Sequence, residues 1–176
     1  RRIEPEMAGQ KFHLWIGQHE TGRYSKAHAH ESCAVLICVK GKGYTYTWPA
    51  MFGHTPWKDG HGDKVMRQDY EAGGMVSAAP MSGDWYHQHF GVSKDPLRLT
   101  AWFGPHSPGR EPGPPGEVHT DYTAMDIPEG GSAIPYWMED PYIKAEYEAT
   151  LRFRRFVIAK VRGGMPHPGV PATRRD

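Results

Sequence analysis

Two short segments concentrate side chains able to bind a metal. The stretch Gly22-Arg23-Tyr24-Ser25-Lys26-Ala27-His28-Ala29-His30 sets two histidines two positions apart, and Trp85-Tyr86-His87-Gln88-His89-Phe90 does the same. On a β-strand, alternate side chains share a face. His28 and His30 therefore present their rings side by side, as do His87 and His89 together with Trp85. Neutral imidazole is the commonest protein ligand for Zn, Fe, Cu and Ni. Two inward histidines without a metal would be buried polar groups in need of partners, which is costly. One ring of the second pair is enough to complete a three-histidine site with His28 and His30. The other is left as a catalytic or substrate-contacting group, and spacing alone leaves open which ring takes which part.

Such pairs need strands to carry them. Lys11 to Gln18 alternates, and Cys33 to Val39 is a continuous apolar run, as expected of a strand buried on both faces. Gly43 to Trp48 alternates aromatic residues with Thr after the turn Gly41-Lys42-Gly43, and Gly74 to Ala79 is short and apolar. Asp84 to Phe90 and Leu97 to Phe103 complete the set. Short strands punctuated by Gly, Pro and Asp predict an all-β barrel or sandwich. Pro49 to Asp63 reads as a long loop, and Gly104 to Gly131 as a Pro/Gly-rich arm extended over the surface.

The end of the chain changes character. Asp140-Pro141 is an N-cap followed by Pro at the first helical position, and it predicts a helix from Pro141 to Val161. Glu139, Asp140, Glu146 and Glu148 come first, and Arg152, Arg154, Arg155, Lys160 and Arg162 come last, which complements the helix dipole. Ile143, Tyr147, Leu151, Ile158 and Val161 share one face, and Gly163-Gly164 with Pro166 ends the helix. The organisation expected is a β-barrel over 1–110, an arm over 111–138, and a helix with tail over 139–176.

The first histidine segment resembles the first motif of the cupin superfamily. Gly22, five residues, His28-x-His30 and the closing Gly41 match it; the usual glutamate is replaced by Ala34. Glu31 is no substitute, because its odd number sets it on the opposite face from His28 and His30. In the second motif, Gly74, five residues and Pro80 match, the histidine arrives two residues late, and Gly91 stands where Asn is usual. Together the motifs span Gly22 to Gly91.

The resemblance implies a double-stranded β-helix, or jelly-roll barrel, with one divalent metal held inside by His28, His30 and His87. His89 is then the catalytic or substrate-contacting group, with exchange of roles between His87 and His89 as the alternative. Cupins with three histidine ligands include ring-cleaving, diketone and thiol dioxygenases. The implied activity is that of a non-haem Fe(II) dioxygenase acting on a small chelating substrate. The alternatives are an O2-independent isomerase, lyase or hydrolytic cupin using Zn, Ni or Mn, and a non-enzymatic small-ligand-binding or sensor cupin. Replacing the carboxylate ligand by a neutral one raises the formal charge of an M(II) site from +1 to +2, which favours an anionic substrate.

Several other residues bear on substrate binding. Tyr44, Tyr46 and Trp48 share one face, which is either core packing or an aromatic wall of the pocket. Trp85 shares the face of His87, and Arg98 adds a positive group if it points inward, or makes an outward salt bridge. His13, His54, His61, His106, His119 and His167 fall on edges or loops and read as surface residues.

The bulk properties exclude other classes. The chain has 176 residues, with 21 Lys and Arg against 20 Asp and Glu, a formal net charge of +1. Nothing in that balance suggests nucleic acid or an anionic membrane as partner. No apolar stretch approaches the ~20 residues that span a bilayer, and no signal-peptide pattern is present. The start at Arg1-Arg2 without Met is that expected of a trimmed or processed piece. Cys33 and Cys38 stand at odd separation on one strand and point to opposite faces, so a disulfide between them is not expected. Reduced thiols suit a cytoplasmic protein. There is no Gly-x-Ser-x-Gly, phosphate-binding glycine loop or Cys-x-x-Cys. The aromatic terminal helix, with Tyr142, Tyr147, Phe153 and Phe156, predicts a homodimer.

Overall fold

The computed structural model describes residues 2–3, 13–30, 34–80, 84–103 and 122–162, and only the backbone path of 2–3, 13 and 156–162. Glu31, Cys33, Gly83, His106, His119, Gly163, Gly164, Pro166 and His167 lie outside the described residues. So do the arm over 104–121 and the side chains of His13, Phe156, Ile158, Lys160, Val161 and Arg162.

Among the described residues, two antiparallel sheets face each other. The first contains β1 (Arg2–Ile3), β2 (His13–His19), β4 (Ala34–Lys40), β7 (Met75–Ser77) and β9 (Leu97–Phe103), in the order β1-β2-β9-β4-β7. The second contains β3 (His28–His30), β5 (Gly43–Pro49), β6 (Met66–Tyr70) and β8 (Trp85–Gly91), in the order β3-β8-β5-β6. The chain crosses from one sheet to the other at nearly every step. This is the double-sheet jelly roll that the cupin resemblance implies.

Alternation along the strands makes two apolar layers. Ala34, Leu36 and Cys38 of β4 meet Leu97, Leu99, Ala101 and Phe103 of β9 inside the barrel. The expectation that β4 is buried on both faces is corrected: Val35 and Ile37 are half-buried and Val39 is exposed, because β4 has the barrel interior on one side only. Cys38 is a free, buried thiol. The second layer lies outside the barrel, where Tyr44, Tyr46, Trp48 and Phe90 pack beneath Ile143 and Tyr147 of the terminal helix.

That helix, α1 (Pro141–Arg162), starts where the sequence predicts. The Asp140 carboxylate accepts the Tyr142 N–H at 3.0 Å and the N–H groups of Trp57 and Lys58 at 2.8 and 2.9 Å. One side chain thus caps the helix and pins the loop after β5 onto it. Trp57 from that loop stacks on Tyr142 with ring centroids 4.7 Å apart. The Tyr147 hydroxyl accepts from the Gly22 N–H at 2.9 Å and donates to the Gly91 carbonyl at 2.7 Å. Two aromatic residues expected to be surplus are therefore engaged within the chain, while Phe153 is exposed. Glu139 has a different part from the dipole role expected of it. It turns inward, accepting from Gln88 Nε2 at 2.7 Å and from the Tyr24 hydroxyl at 2.8 Å. Burial pushes its carboxyl pKa up, partly opposed by those hydrogen bonds. No helix of the described residues is long and apolar enough to cross a membrane.

Candidate metal centre

Sheet register assembles the histidines. In β3 and β8, His28 opposes His87 and His30 opposes Trp85; in β5 and β8, Thr47 opposes His87 and Thr45 opposes His89. Directly opposed residues point to the same side of a sheet. His28, His30, Trp85, His87, His89, Thr45 and Thr47 therefore share the interior face. Gln88 falls on the outer face, where Glu139 and the Ser25 carbonyl, at 2.8 Å, hold it.

The short strand β3 needs support from elsewhere. The Ile134 N–H donates to the Ala27 carbonyl at 2.7 Å, and His28 forms a bridge with Ala133. Lys26 Nζ lies 2.6 and 2.8 Å from the two Asp126 oxygens. The described end of the Pro/Gly-rich arm thus folds back as a brace for β3. Gly41 matches the motif for a physical reason. Its φ is +83°, and a Cβ there would sit 2.5 Å from the Pro96 carbonyl oxygen.

His28, His30 and His87 each offer a ring nitrogen, and the three nitrogens lie within 4.8 Å of one another. Ring centroids are 4.4 Å apart for His28 and His87, 4.6 Å for His30 and His87, and 5.7 Å for His28 and His30. His87 Nδ1 is 3.3 Å from the Trp85 carbonyl oxygen. A carbonyl only accepts, so Nδ1 carries the proton and Nε2 keeps its lone pair for a metal, the usual arrangement behind a ligating histidine. Desolvation and then the neighbouring imidazoles hold His87 well below the ordinary histidine pKa, so the ring is neutral, as a ligand must be. The donor set fits a divalent transition metal: three imidazole nitrogens on one side, with no carboxylate among them.

His89 stands next to this group, its ring 5.5 Å from that of His87, and its Nδ1 lies 3.1 Å from the Tyr70 hydroxyl. Burial again holds it neutral. A cavity of about 230 Å3 opens beside the rings, lined by His19, Ser25, His28, His30 and His89, with Trp15, Gln18, Phe103 and Thr123 completing its wall. Hollows of about 840 and 660 Å3 lie against α1 and share no residue with the histidines. The ligand chemistry singles out the smaller space.

Four expected contributors lie elsewhere. Tyr44, Tyr46 and Trp48 do not wall this cavity; alternation along β5 turns them to the outer layer beneath α1, opposite in direction to Thr45 and Thr47. Their core-packing reading is the one the geometry supports. Arg98 is exposed between the inward Leu97 and Leu99, and it donates to Gln18 Oε1 at 2.7 Å; among the described residues it forms no salt bridge, and it does not face the barrel. Trp85 is on the interior face as expected, half-buried opposite His30. Ala34 is buried opposite Phe103, whose ring packs 5.8 Å from that of His30.

Two residues escaped sequence reasoning. His19 follows Trp15 and Gly17 on the inward face of β2, one residue beyond the strand end expected, and its ring lies 5.6 Å from that of His89. Burial lowers its pKa to about 4. Extending the alternation by one residue would have found it. Tyr70 ends β6, whose sequence Met66-Arg67-Gln68-Asp69-Tyr70 is mostly exposed and polar and gives no strand signal.

No family model matches the chain, and no curated protein matches it. Solved structures give partial likenesses. An oxalate decarboxylase formate complex from Lactobacillus farciminis shares 15% identity over 56% of this chain and 26% of that one, with a TM-score of 0.44. A Bacillus subtilis oxalate decarboxylase studied for its Mn(II) centres shares 14% over 55% and 22%, with a TM-score of 0.43. A recombinant oxalate oxidase in complex with glycolate shares 16% over 62% and 52%, with a TM-score of 0.48. The chain thus spans between about a fifth and a half of those structures. These likenesses are of shape over part of the chain, and the chemistry of the site rests on its own side chains.

Proposed function

We propose that this protein is a metal-dependent enzyme that holds one divalent metal on His28, His30 and His87 and acts on a small, chelating, anionic organic substrate. The observation that carries the reading is the convergence of three imidazole nitrogens within 4.8 Å inside a barrel. The cavity beside them is smaller than the ~300–1,000 Å3 typical of drug-sized ligands, which sets the size of substrate. Among the described residues, its lining includes no carboxylate and no lysine or arginine. An M(II) charge there is uncompensated, and unit charges ~4 Å apart interact by roughly 4 kcal/mol even at an effective dielectric of 20. An anion is the ligand that gains from this.

A dication held by His28, His30 and His87 would supply Lewis acidity and, as Fe(II), redox chemistry with O2. The protein's own part is to orient and to exclude water: Phe103 and Trp15 close the apolar side, and His89, braced by Tyr70, presents a neutral nitrogen to the bound molecule. Within this reading the activity is that of an Fe(II) dioxygenase. The braced His89 favours a second reading, an O2-independent lyase or isomerase with Mn, Zn or Ni, because a held neutral imidazole beside the metal suits proton abstraction.

Metal analysis of protein purified without oxygen, followed by reconstitution with each metal and an O2-uptake screen over small chelating acids, tests the proposal. O2 consumption with Fe(II) supports the dioxygenase, and turnover without O2 supports the second reading. Metal retention without turnover would make the protein a binding module, and absence of metal binding would sink the proposal.

A further inference from the structure

His19 comes from β2 of one sheet and His89 from β8 of the other, and their rings meet with centroids 5.6 Å apart at an interplanar angle of 56°. The Nε2 atom of each is buried and, among the described residues, has no hydrogen-bond partner. His89 cannot turn to find one without giving up the Tyr70 hydroxyl on its Nδ1. Buried polar atoms are nearly always paired, and an unpaired one is costly enough to need an explanation. The Tyr44 hydroxyl, Thr47 Oγ1 and the Oε1 atoms of Gln68 and Gln88 are also unpaired, but they do not line the cavity. His19 and His89 both do, together with the ligand candidates His28 and His30. The cavity therefore carries, beside the ligand candidates His28 and His30, two further imidazoles with unpaired nitrogens.

We propose that His19 and His89 form a second anchoring point for the substrate, taking an oxygen remote from the pair that chelates the metal. The preferred ligand class is a small chelating acid with a further hydroxyl or comparable oxygen at its other end. This rests on the metal reading above. A hydroxyl both donates and accepts, so it pairs with either tautomer of the two rings. A methyl in its place leaves both nitrogens unpaired, and sites built to hydrogen-bond a hydroxyl discriminate against ligands that lack it.

Lactate and glycerate provide the test. Both chelate through a carboxylate and its 2-hydroxyl; glycerate adds one hydroxyl on the terminal carbon. Each is titrated into the Co(II)-loaded full chain while the metal's visible absorption is followed. The expected result is glycerate binding about tenfold more tightly than lactate. In His19→Phe that preference should fall to within about twofold, with Co(II) content retained, while His19→Gln keeps part of it through its amide. Equal affinities in the wild type, or no response to either acid with Co(II) bound, would overturn the proposal whether or not the variants fold. A preference that survives His19→Phe would overturn the assignment to His19. Failure of the wild type to bind Co(II) would overturn the metal reading, and this inference with it.

Discussion

His28 and His87 are register partners across β3 and β8, with ring centroids 4.4 Å apart. A slip of one residue in either strand would send one ring to the outer layer. The pairing therefore sets the metal site and the side-chain pattern of the sheet together. His28→Ala and His87→Ala are each expected to weaken metal binding by more than the ~10–100-fold that loss of a supporting partner costs. His89→Ala should retain the metal and lose activity. Metal content after gel filtration, with competition against a chromogenic chelator, reads the difference. Retention in His87→Ala with loss in His89→Ala would reverse the two roles.

Ala34 stands where the resemblance leads one to expect a carboxylate ligand, and it is buried opposite Phe103, beside His30. Ala34→Glu should strengthen metal binding and weaken binding of chelating anions by at least about tenfold, with neutral analogues of the same shape little affected. Titrations of the Co(II) protein with matched anionic and neutral chelators measure both. Unchanged anion affinity in a variant that binds Co(II) would assign the preference to pocket shape instead of charge.

Metal-free protein should lose stability on acidification in a particular window. Burial holds the folded-state pKa of His19 at about 4, against an ordinary value of 6.5. Between those values the unfolded chain binds the proton and the folded one does not, so stability is present above about pH 6.5 and is lost as pH falls toward 4. The contribution of His19 is on the order of 3 kcal/mol. Urea unfolding of chelator-treated protein across this range is expected to show a shallower pH slope in His19→Gln than in the wild type. An identical slope would show that the His19 ring titrates normally.

Tyr147 ties α1 to Gly22 and Gly91, the glycines flanking the two histidine segments. Tyr147→Phe leaves the buried Gly91 carbonyl without this donor, at a cost of about 1–3 kcal/mol. The expected result is a lower urea midpoint with an unchanged slope and unchanged metal stoichiometry. Loss of metal along with stability would show that the helix also holds the ligand geometry.

Period-two alternation was sufficient to read β2, β5 and β8 from the sequence, and apolar composition to read β4 and β9, because each carries enough apolar or aromatic residues to show. The His-x-His spacing and Gly41 carried the metal centre for the same local reason: side-chain direction on a strand, and a turn whose positive φ and close contact with Pro96 exclude a Cβ. Asp140-Pro141 likewise carried the start of α1, since capping is settled within a few residues. Tertiary structure alone decided the remainder. Alternation says that Tyr44, Tyr46 and Trp48 share a face, but whether it looks into the barrel depends on register with β8, which no single strand contains. The same holds for Arg98, turned outward by the pairing of β9 with β2 and β4. β6 is an edge strand with little burial until Tyr70, so it has no hydrophobic period to read. His19 reaches His89 only because two sheets close over one interior, and Tyr70 reaches it across β5 within one sheet; neither contact between distant strands is encoded in local spacing.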